Sequence, residues 1–164
     1  MSAAGSSSSS SDVSFAPAAV DDRFLSRFAS SFVGGIEPIL EAAGLDRVQL
    51  ERSMQETGEI RTVLLGGADA GSIWLELRGR ILHLHALVLD PHARGSGVGG
   101  RVLELLEEEF EGRADELELG VQRSTEPARR LYEKAGFTEI ESPHAELGFL
   151  VLRRRLGAGV DGRR

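Results

Sequence analysis

The chain has 164 residues, of which 41% are hydrophobic, and this composition is typical of one folded domain with a sizeable core. It contains no cysteine, which excludes disulfides, thiolate metal sites and a cysteine nucleophile. Its net charge of −7 argues against general nucleic-acid binding, and no apolar run approaches the roughly 18 residues of a membrane span. We therefore expect a globular protein that binds neither nucleic acid nor membrane, with the cytoplasm as its default location.

The first third of the chain combines a polar tail with helical patterns. Residues 1–14 are rich in serine and are predicted to be disordered. From about residue 20 to residue 55, apolar residues recur at three- and four-residue spacing. Gly34-Gly35 and Gly44 interrupt this pattern, so it predicts three successive helices.

From Ile60 the hydrophobic period changes to that of strands. Two strands are predicted at 60–65 and 72–77, joined by a glycine-rich connection over 66–71, and a tight turn then leads into a long strand at 81–90. This strand alternates at first and becomes continuously apolar at 86–89, as a strand buried on both faces would.

Helices and strands alternate in the second half of the chain. The predicted elements, in order, are a helix at 97–110, a strand at 117–121, a helix at 127–135 and strands at 137–140 and 146–153. The whole order indicates an α/β (mixed α+β) fold, in which a mixed sheet carries helices on both faces.

A glycine-rich turn joins the long strand to the helix that follows it. Arg94, Gly95, Gly97 and Gly99 form R-G-x-G-x-G just before an apolar helical pattern. Glycines there let several backbone N–H groups approach an anion, and a helix N-terminus adds partial positive charge, so the geometry suits a pyrophosphate. The spacing differs from the G-x-G-x-x-G of dinucleotide-binding folds, and no lysine follows as in a P-loop. On this motif alone, a turn without a ligand stays open.

Two motifs in order carry a family resemblance. V-x-D-P-x-x-R-G-x-G-x-G at 88–99 and A-x-x-L-Y-E-K-A-G-F at 128–137 together resemble the GCN5-related N-acetyltransferase (GNAT) superfamily. The resemblance covers about Ile60 to Arg154. It implies a GNAT-type, largely antiparallel central sheet, acetyl-CoA as co-substrate, and an amine on a small molecule or protein as acceptor.

The resemblance also sets expectations for domain organisation. We expect one acetyltransferase domain over 15–156, a flexible tail at 157–164, and a homodimer as an open option. The family's usual first strand is expected to be absent or irregular, because Val13–Phe15 is a poor strand candidate.

Cofactor contacts follow from the resemblance. The strands that end at Leu89 and Val121 are expected to splay and form the cofactor cleft. The backbone of residues 87–89, in the strand that ends at Leu89, would pair with the pantetheine arm. The glycine turn would bind the pyrophosphate, and the small Ala128 would let the arm pass. Thr125 stands where many relatives have a longer asparagine. The expected cofactor-binding residues are Leu87, Val88, Leu89, Arg94, Gly95, Ser96, Gly97, Val98, Gly99, Gly100, Thr125 and Ala128.

Tyr132 is the only tyrosine in the chain and lies in the second motif. The resemblance implies that its hydroxyl hydrogen-bonds the cofactor sulfur and protonates the departing thiolate, as a positioned O–H can. A tyrosine that merely packs in the core stays open as the other interpretation.

The general base is less evident. One branch of the family places a glutamate where this chain has Gly120, and other relatives place one where this chain has His83 and His85. Both histidines lie on one face of the predicted strand and titrate near neutrality, so either could relay a proton. No third ligand accompanies this pair, so no metal is expected. Buried sheet histidines without a catalytic role stay open.

Two further hypotheses concern function. A GNAT-like module that binds acyl-CoA without catalysis, as a sensor or interaction partner, is the rival to an enzyme. For an enzyme, we expect an acidic or neutral mouth near the two histidines, Trp74 and the 141–146 loop, which contains His144. The acidic composition there, from Glu139, Glu141 and Glu146, would favour a cationic amine.

Overall fold

The structure is a computed structural model that describes residues 12–142 and 148–157. In chain order its elements are β1 (Val13–Ala18), α1 (Asp22–Ser30), α2 (Glu37–Ala43), α3 (Arg47–Glu56), β2 (Glu59–Leu65), β3 (Ala68–Arg78), β4 (Ile81–Leu89), a short 3-10 helix (Pro91–Ala93), α4 (Val98–Glu109), β5 (Glu116–Gln122), α5 (Glu126–Lys134), β6 (Thr138–Ile140) and β7 (Phe149–Arg155). Within the described residues, no helix is both long and apolar enough to cross a membrane.

The strands form one seven-stranded sheet in the order β1-β2-β3-β4-β5-β7-β6. Every neighbouring pair is antiparallel except β4 and β5, which run parallel. A parallel pair needs a crossover connection, and here the 3-10 helix and α4 supply it. The predicted mixed, largely antiparallel sheet is confirmed.

The first strand is present, so the expectation that it is absent or irregular is wrong. β1 pairs in register with β2 from Val13↔Leu65 to Ala18↔Ile60. It begins at Val13, inside the expected tail. Its sequence, VSFAPA, contains a proline, which weakens the strand pattern but is tolerated because β1 lies at the edge of the sheet.

The β2–β3 hairpin is tighter than predicted. Its loop is Gly66-Gly67, with φ of 61° and 83°, rather than a six-residue connection. Two successive residues in the left-handed region suit a two-residue hairpin turn, and glycine adopts this conformation without strain. Ala68–Gly71 therefore belongs to β3, and a Cβ on Gly71 would lie 2.4 Å from the Val88 carbonyl oxygen of β4.

Helices cover both faces of the sheet, as predicted. On one face, α1–α3 bury Phe24, Phe28, Leu40 and Met54 together with Trp74 of β3. On the other face, α4 and α5 pack on the larger core cluster. The buried residues of that cluster contributed by α4 and by the sheet include Val98, Val102, Leu103, Leu106, Val63, Ile73, Leu82, Leu84, Leu117 and Leu119. The start of β7 predicted at 146 lies outside the described residues.

Arg27 anchors α1 to the end of β4. Its Nε and Nη2 donate to the two carboxylate oxygens of Asp90 at 2.9 and 2.6 Å, and its Nη1 donates to the carbonyl oxygen of Gly71 at 3.1 Å. The side chain of Arg27 is only 11% exposed. The hydrogen bond from Arg27 lowers the pKa of Asp90, so this carboxylate stays ionised. The contact fixes α1 against the point where the chain leaves β4 for the glycine turn.

Candidate functional site

A cleft opens where β4 and β5 separate. Their parallel pairing runs only from Ile81↔Glu116 to Leu84↔Leu119, and beyond these residues the two strands diverge. The resulting cleft has a volume of about 310 Å³. Leu87 and Val88 line one side of it, and Gly120 and Val121 line the other. The predicted splay of these two strands is therefore observed.

The backbone of β4 presents a free edge to this cleft. On its β3 side, residues from Ala86 to Leu89 pair in register with Trp74 to Gly71. On its β5 side, β4 has no strand partner beyond Leu84 among the described residues. The edge of a strand presents alternating N–H and C=O groups, so an extended ligand can pair with it.

The glycine turn forms an uncapped helix N-terminus. Gly95 and Gly97 have φ of 81° and 83°, and Gly97 is the N-cap of α4 without a side-chain hydrogen bond. A Cβ on Gly95 or Gly100 would meet no atom within 4 Å, so the turn is open. At Gly99 a Cβ would lie 2.8 Å from the Leu131 side chain, so glycine there allows α4 to approach α5. The first N–H groups of a helix attract anions.

The turn is shaped in part by Arg94. Its Nε donates to the Leu89 carbonyl oxygen at 2.9 Å. The guanidinium thus ties the turn back to the last residue of β4. Leu89 and the residues from Arg94 to Gly100 lie outside the lining of the cleft.

One face of α5 and its N-cap border the cleft. Thr125, its N-cap, makes no side-chain capping hydrogen bond, and Thr125, Ala128 and Tyr132 all line the cleft. The ring of Tyr132 is 6% exposed and packs edge-on against Phe137 at 5.7 Å. Burial raises the pKa of Tyr132 to about 12, so its hydroxyl keeps its proton at neutral pH.

His83 and His85 lie side by side on the face of β4 opposite Leu82 and Leu84, and both line the cleft. Their ring centroids are 4.5 Å apart, edge to face. A register shift in the β3–β4 pairing between Trp74 and Leu75 leaves His85 without a partner opposite it. Bulges of this kind are common beside active sites, where they re-aim a side chain.

Each histidine is hydrogen-bonded to a glutamate that is itself paired with an arginine. The Nδ1 atom of His83 lies 2.7 Å from Oε1 of Glu118, which also accepts hydrogen bonds from Arg153. The Nε2 atom of His85 lies 2.9 Å from Oε1 of Glu76, which accepts a hydrogen bond from Arg78 at 2.8 Å. Burial alone would raise the pKa of Glu118, but the hydrogen bonds from Arg153 and His83 hold it below its usual value.

Both histidines are neutral at physiological pH. Burial lowers the pKa of His83, although its hydrogen bond with Glu118 opposes the shift. Burial lowers the pKa of His85 to about 4 against the opposing effect of Glu76. An ionised carboxylate can only accept a hydrogen bond, so the ring nitrogen that faces it carries the proton. The other nitrogen, Nε2 of His83 or Nδ1 of His85, therefore carries a lone pair.

Trp74 packs against His85 of the histidine pair. It is 5% exposed, donates its indole N–H to the Thr57 carbonyl oxygen at 2.8 Å, and stacks on His85 with ring centroids 4.2 Å apart. It lies outside the lining of the cleft, so it is a core residue that fixes the orientation of His85. His144 lies outside the described residues.

Of the expected acidic or neutral mouth, the acidic form has no support in the described part of the chain. No carboxylate there lines the cleft; Glu139 and Glu141 lie elsewhere, and Glu146 is outside the described residues. Nor does that part of the chain contain a group of three or more His, Cys, Asp or Glu arranged to hold a metal ion.

Three aromatic residues of the cleft were not predicted from the sequence. Phe28, Phe32 and Phe149 line it. The three- and four-residue spacing of apolar residues predicted a helix around Phe28, but a helical pattern does not show that one of its faces borders a cleft. Glu118 was also missed, because its place opposite His83 depends on the parallel register of β4 and β5.

The family comparison agrees with this geometry. A model of the acetyltransferase (GNAT) domain matches residues 40–156, well over half of the chain. The chain therefore belongs to the GNAT acetyltransferases. A comparison with curated proteins found none that matches.

Solved structures share the fold at low sequence identity. A GNAT family acetyltransferase from Elizabethkingia anophelis with acetyl-CoA bound has a TM-score of 0.66 and 13% identity, covering 88% of this chain and 99% of that one. An acetyltransferase from Thermus thermophilus has a TM-score of 0.64 and 17% identity, covering 88% and 97%. The PaiA N-acetyltransferase from Thermoplasma acidophilum, in complex with coenzyme A, has a TM-score of 0.60 and 16% identity, covering 87% and 98%.

Proposed function

We propose that the protein is an N-acetyltransferase that transfers acetyl from acetyl-CoA to a primary amine by direct attack in a ternary complex. The observation that carries the proposal is the cleft itself. The free edge of β4 enters it, and a protonated tyrosine and two neutral histidines line the same cleft. These are the groups that an acyl transfer to nitrogen needs.

The residues of the chain fit acetyl-CoA, which supplies the acetyl group as a thioester. The backbone of Leu87–Leu89 offers hydrogen bonds to an extended polar arm, and the small Ala128 leaves room beside it. The N–H groups at the start of α4, with Arg94, Ser96 and Val98 beside the glycines, offer a positive site for a pyrophosphate. Thr125, the N-cap of α5, lines the cleft on the same side as Ala128.

A proton must leave the acceptor before it can attack, because a primary amine is protonated at neutral pH. His83 or His85 takes this proton at the ring nitrogen that carries the lone pair. Glu118 and Glu76 are positioning residues, since each fixes the tautomer of the histidine it binds. In total two protons leave the ammonium nitrogen: one ends on the released thiol and the other reaches solvent through the histidine.

Tyr132 holds the proton for the departing sulfur. Its hydroxyl stays protonated because burial raises its pKa to about 12, and the pKa of that hydroxyl exceeds that of an ordinary thiol. Because the thiol is the stronger acid, a full proton transfer from Tyr132 to a thiolate would leave a buried tyrosinate, which the apolar site disfavours. Tyr132 Oη therefore donates a hydrogen bond to the departing sulfur and passes on its proton only as it receives the second proton from the attacking nitrogen, so that no charge stays on the tyrosine.

The test is the amine-dependent release of thiol from acetyl-CoA, with mass spectrometry to identify the acetylated amine. Initial-rate plots that intersect support a ternary complex, whereas parallel lines would mean a covalent acyl-enzyme. Acetyl-CoA that binds tightly but never gives amine-dependent thiol across a broad set of amines would contradict the enzyme and leave the non-catalytic module.

A further inference from the structure

The acceptor side of the cleft is built from aromatic rings. The chain has only seven phenylalanines, one tryptophan and one tyrosine. Three of these phenylalanines line the cleft: Phe28 in the last turn of α1, Phe32 two residues after the end of α1, and Phe149 at the start of β7. Phe32 meets Phe28 at 5.0 Å and Phe149 at 6.1 Å, both edge to face, so it bridges the two walls. Such rings present apolar surface to whatever enters.

The position of Phe32 is fixed across the cleft. The backbone N–H of Val33 donates to Oε1 of Gln122 on β5 at 2.8 Å. This bond ties the segment after α1 to the opposite wall, and Phe32 adjoins it. The aromatic surface is therefore a built part of the site rather than a freely moving side chain.

No charged side chain lines the cleft within the described residues, which leaves only the two histidines and Tyr132 as titratable groups. Two carboxylates, Glu76 and Glu118, are hydrogen-bonded to the histidine rings and are paired with Arg78 and Arg153. A second ammonium group or a carboxylate on the acceptor would thus lose its hydration without gaining an opposite charge. Burying an unpaired charge is strongly unfavourable.

Resting on the proposed function, we infer that the acceptor is a small primary monoamine with an apolar, ring-sized or alkyl body, held by Phe32 and Phe149. Diamines and polyamines, aminoglycosides and free amino acids carry further charges that the described lining of this cleft does not match. At about 310 Å³ the cleft lies at the small end of ligand pockets, and the arm of acetyl-CoA takes part of it. One substituent of modest size fills the remainder.

Two pairs of amines isolate the effect of charge. Hexylamine and 1,5-diaminopentane have the same number of heavy atoms and differ in a terminal methyl or ammonium group. 2-Phenylethylamine and phenylalanine differ by a carboxylate. We expect the first member of each pair to have a kcat/KM at least tenfold higher in amine-dependent thiol release. A diamine or an amino acid that matches or exceeds its partner would overturn the inference while leaving N-acetyl transfer intact.

Gly120 allows the preference to be reversed. It lines the cleft, and a Cβ there would meet only the Leu150 carbonyl oxygen, at 3.9 Å, so a side chain fits. Gly120→Glu places a carboxylate in the cleft, and Gly120→Gln is the uncharged control. We expect the ratio of kcat/KM for 1,5-diaminopentane to that for hexylamine to rise at least tenfold in the first variant only. A new base at this position would affect both amines alike, so it cancels from the ratio.

The aromatic wall of the cleft, formed by Phe28, Phe32 and Phe149, is tested by substitution of Phe32. Phe32→Ala should lower kcat/KM for 2-phenylethylamine at least tenfold more than for methylamine, which has no body to bind. Phe15→Ala is the control, because Phe15 is a partly buried phenylalanine of β1 outside the cleft. Equal losses for both amines, or equal effects of the two variants, would contradict the role of Phe32. If no amine is acetylated although acetyl-CoA binds, the proposed function itself fails.

Discussion

Glu118→Gln tests whether a carboxylate sets the working form of His83. Arg153 donates hydrogen bonds to one oxygen of Glu118, and His83 Nδ1 lies 2.7 Å from the other. Since only an oxygen can accept from Arg153, a glutamine at 118 would turn its NH₂ group towards His83. Nδ1 must then accept, so the ring proton moves to Nε2 and the nitrogen that faces the cleft can no longer take a proton.

The size of the effect follows from the bond that is lost. A hydrogen bond to a charged group is worth about 1.5–3 kcal/mol, so the working tautomer becomes roughly 10- to 150-fold rarer. If His83 is the base, kcat/KM falls by about that factor. The carboxylate also raises the pKa of His83, so removing it shifts the acidic limb of the pH–rate profile to lower pH.

Glu116→Gln is the matched control. Glu116 lies two residues earlier on β5 and its carboxylate is 3.9 Å from Nη1 of the same arginine, Arg153, but the hydrogen-bond partner of His83 is Glu118. Thiol release gives the rates, and ¹⁵N NMR of the histidine rings reports the tautomer independently of activity. Glu76→Gln applies the same test to His85. If Glu118→Gln and Glu76→Gln both stay within about twofold of Glu116→Gln, neither histidine acts through its carboxylate.

Three further variants test the tyrosine, the glycine turn and the ion pair between Arg27 and Asp90. Tyr132→Phe should lower kcat about 100-fold while the Kd for acetyl-CoA changes less than about twofold by calorimetry; equal kcat would exclude Tyr132 as the acid. Gly97→Asp should weaken acetyl-CoA binding at least about tenfold, since it puts a negative charge at the N-terminus of α4. Gly79→Asp introduces the same strain at a remote turn with positive φ and serves as its control. Asp90→Asn should reduce the free energy of unfolding by about 1–2 kcal/mol at neutral pH, because it breaks the charged pair with Arg27. Arg27 depresses the pKa of Asp90, so this difference should persist above about pH 4 and disappear as the pH falls through the folded-state pKa; a pH-independent difference in urea melts would argue against the pair.

The hydrophobic pattern was sufficient for most of the fold. The period change at Ile60 and the apolar run at 86–89 correctly placed the long central strand. The three- and four-residue spacing before Ile60 and the alternation of helices and strands after residue 97 correctly predicted helices on both faces of the sheet. The pattern failed at β1, where a six-residue edge strand with a proline gives little periodicity and depends on its pairing with β2. It also failed at the β2–β3 hairpin. Gly66 and Gly67 form the turn, whereas Gly71 lies within β3 close to the backbone of β4, and the sequence alone does not distinguish these two roles.

The candidate site was predictable only in part. Tyr132 and Ala128 came from a motif, and the two histidines from their alternation on one strand. The partner of His83 required the register of a parallel pair between residues 35 positions apart, which no local pattern encodes. The aromatic wall combines residues from α1 and β7, and composition alone suggested an acidic mouth there because glutamates are frequent in the chain, wherever they point.

The short junction between β4 and β5 has a consequence for the stability of the whole domain. Only four residue pairs join these strands, whereas β4 pairs with β3 at eight positions and β5 pairs with β7 at seven. The sheet thus consists of two well-bonded sections that meet along a short line. A ligand that pairs with the free edge of β4 would act as a missing length of strand. At 100 times its Kd it would raise the free energy of unfolding by about 2.7 kcal/mol. It would also slow hydrogen exchange at the amides of that edge first.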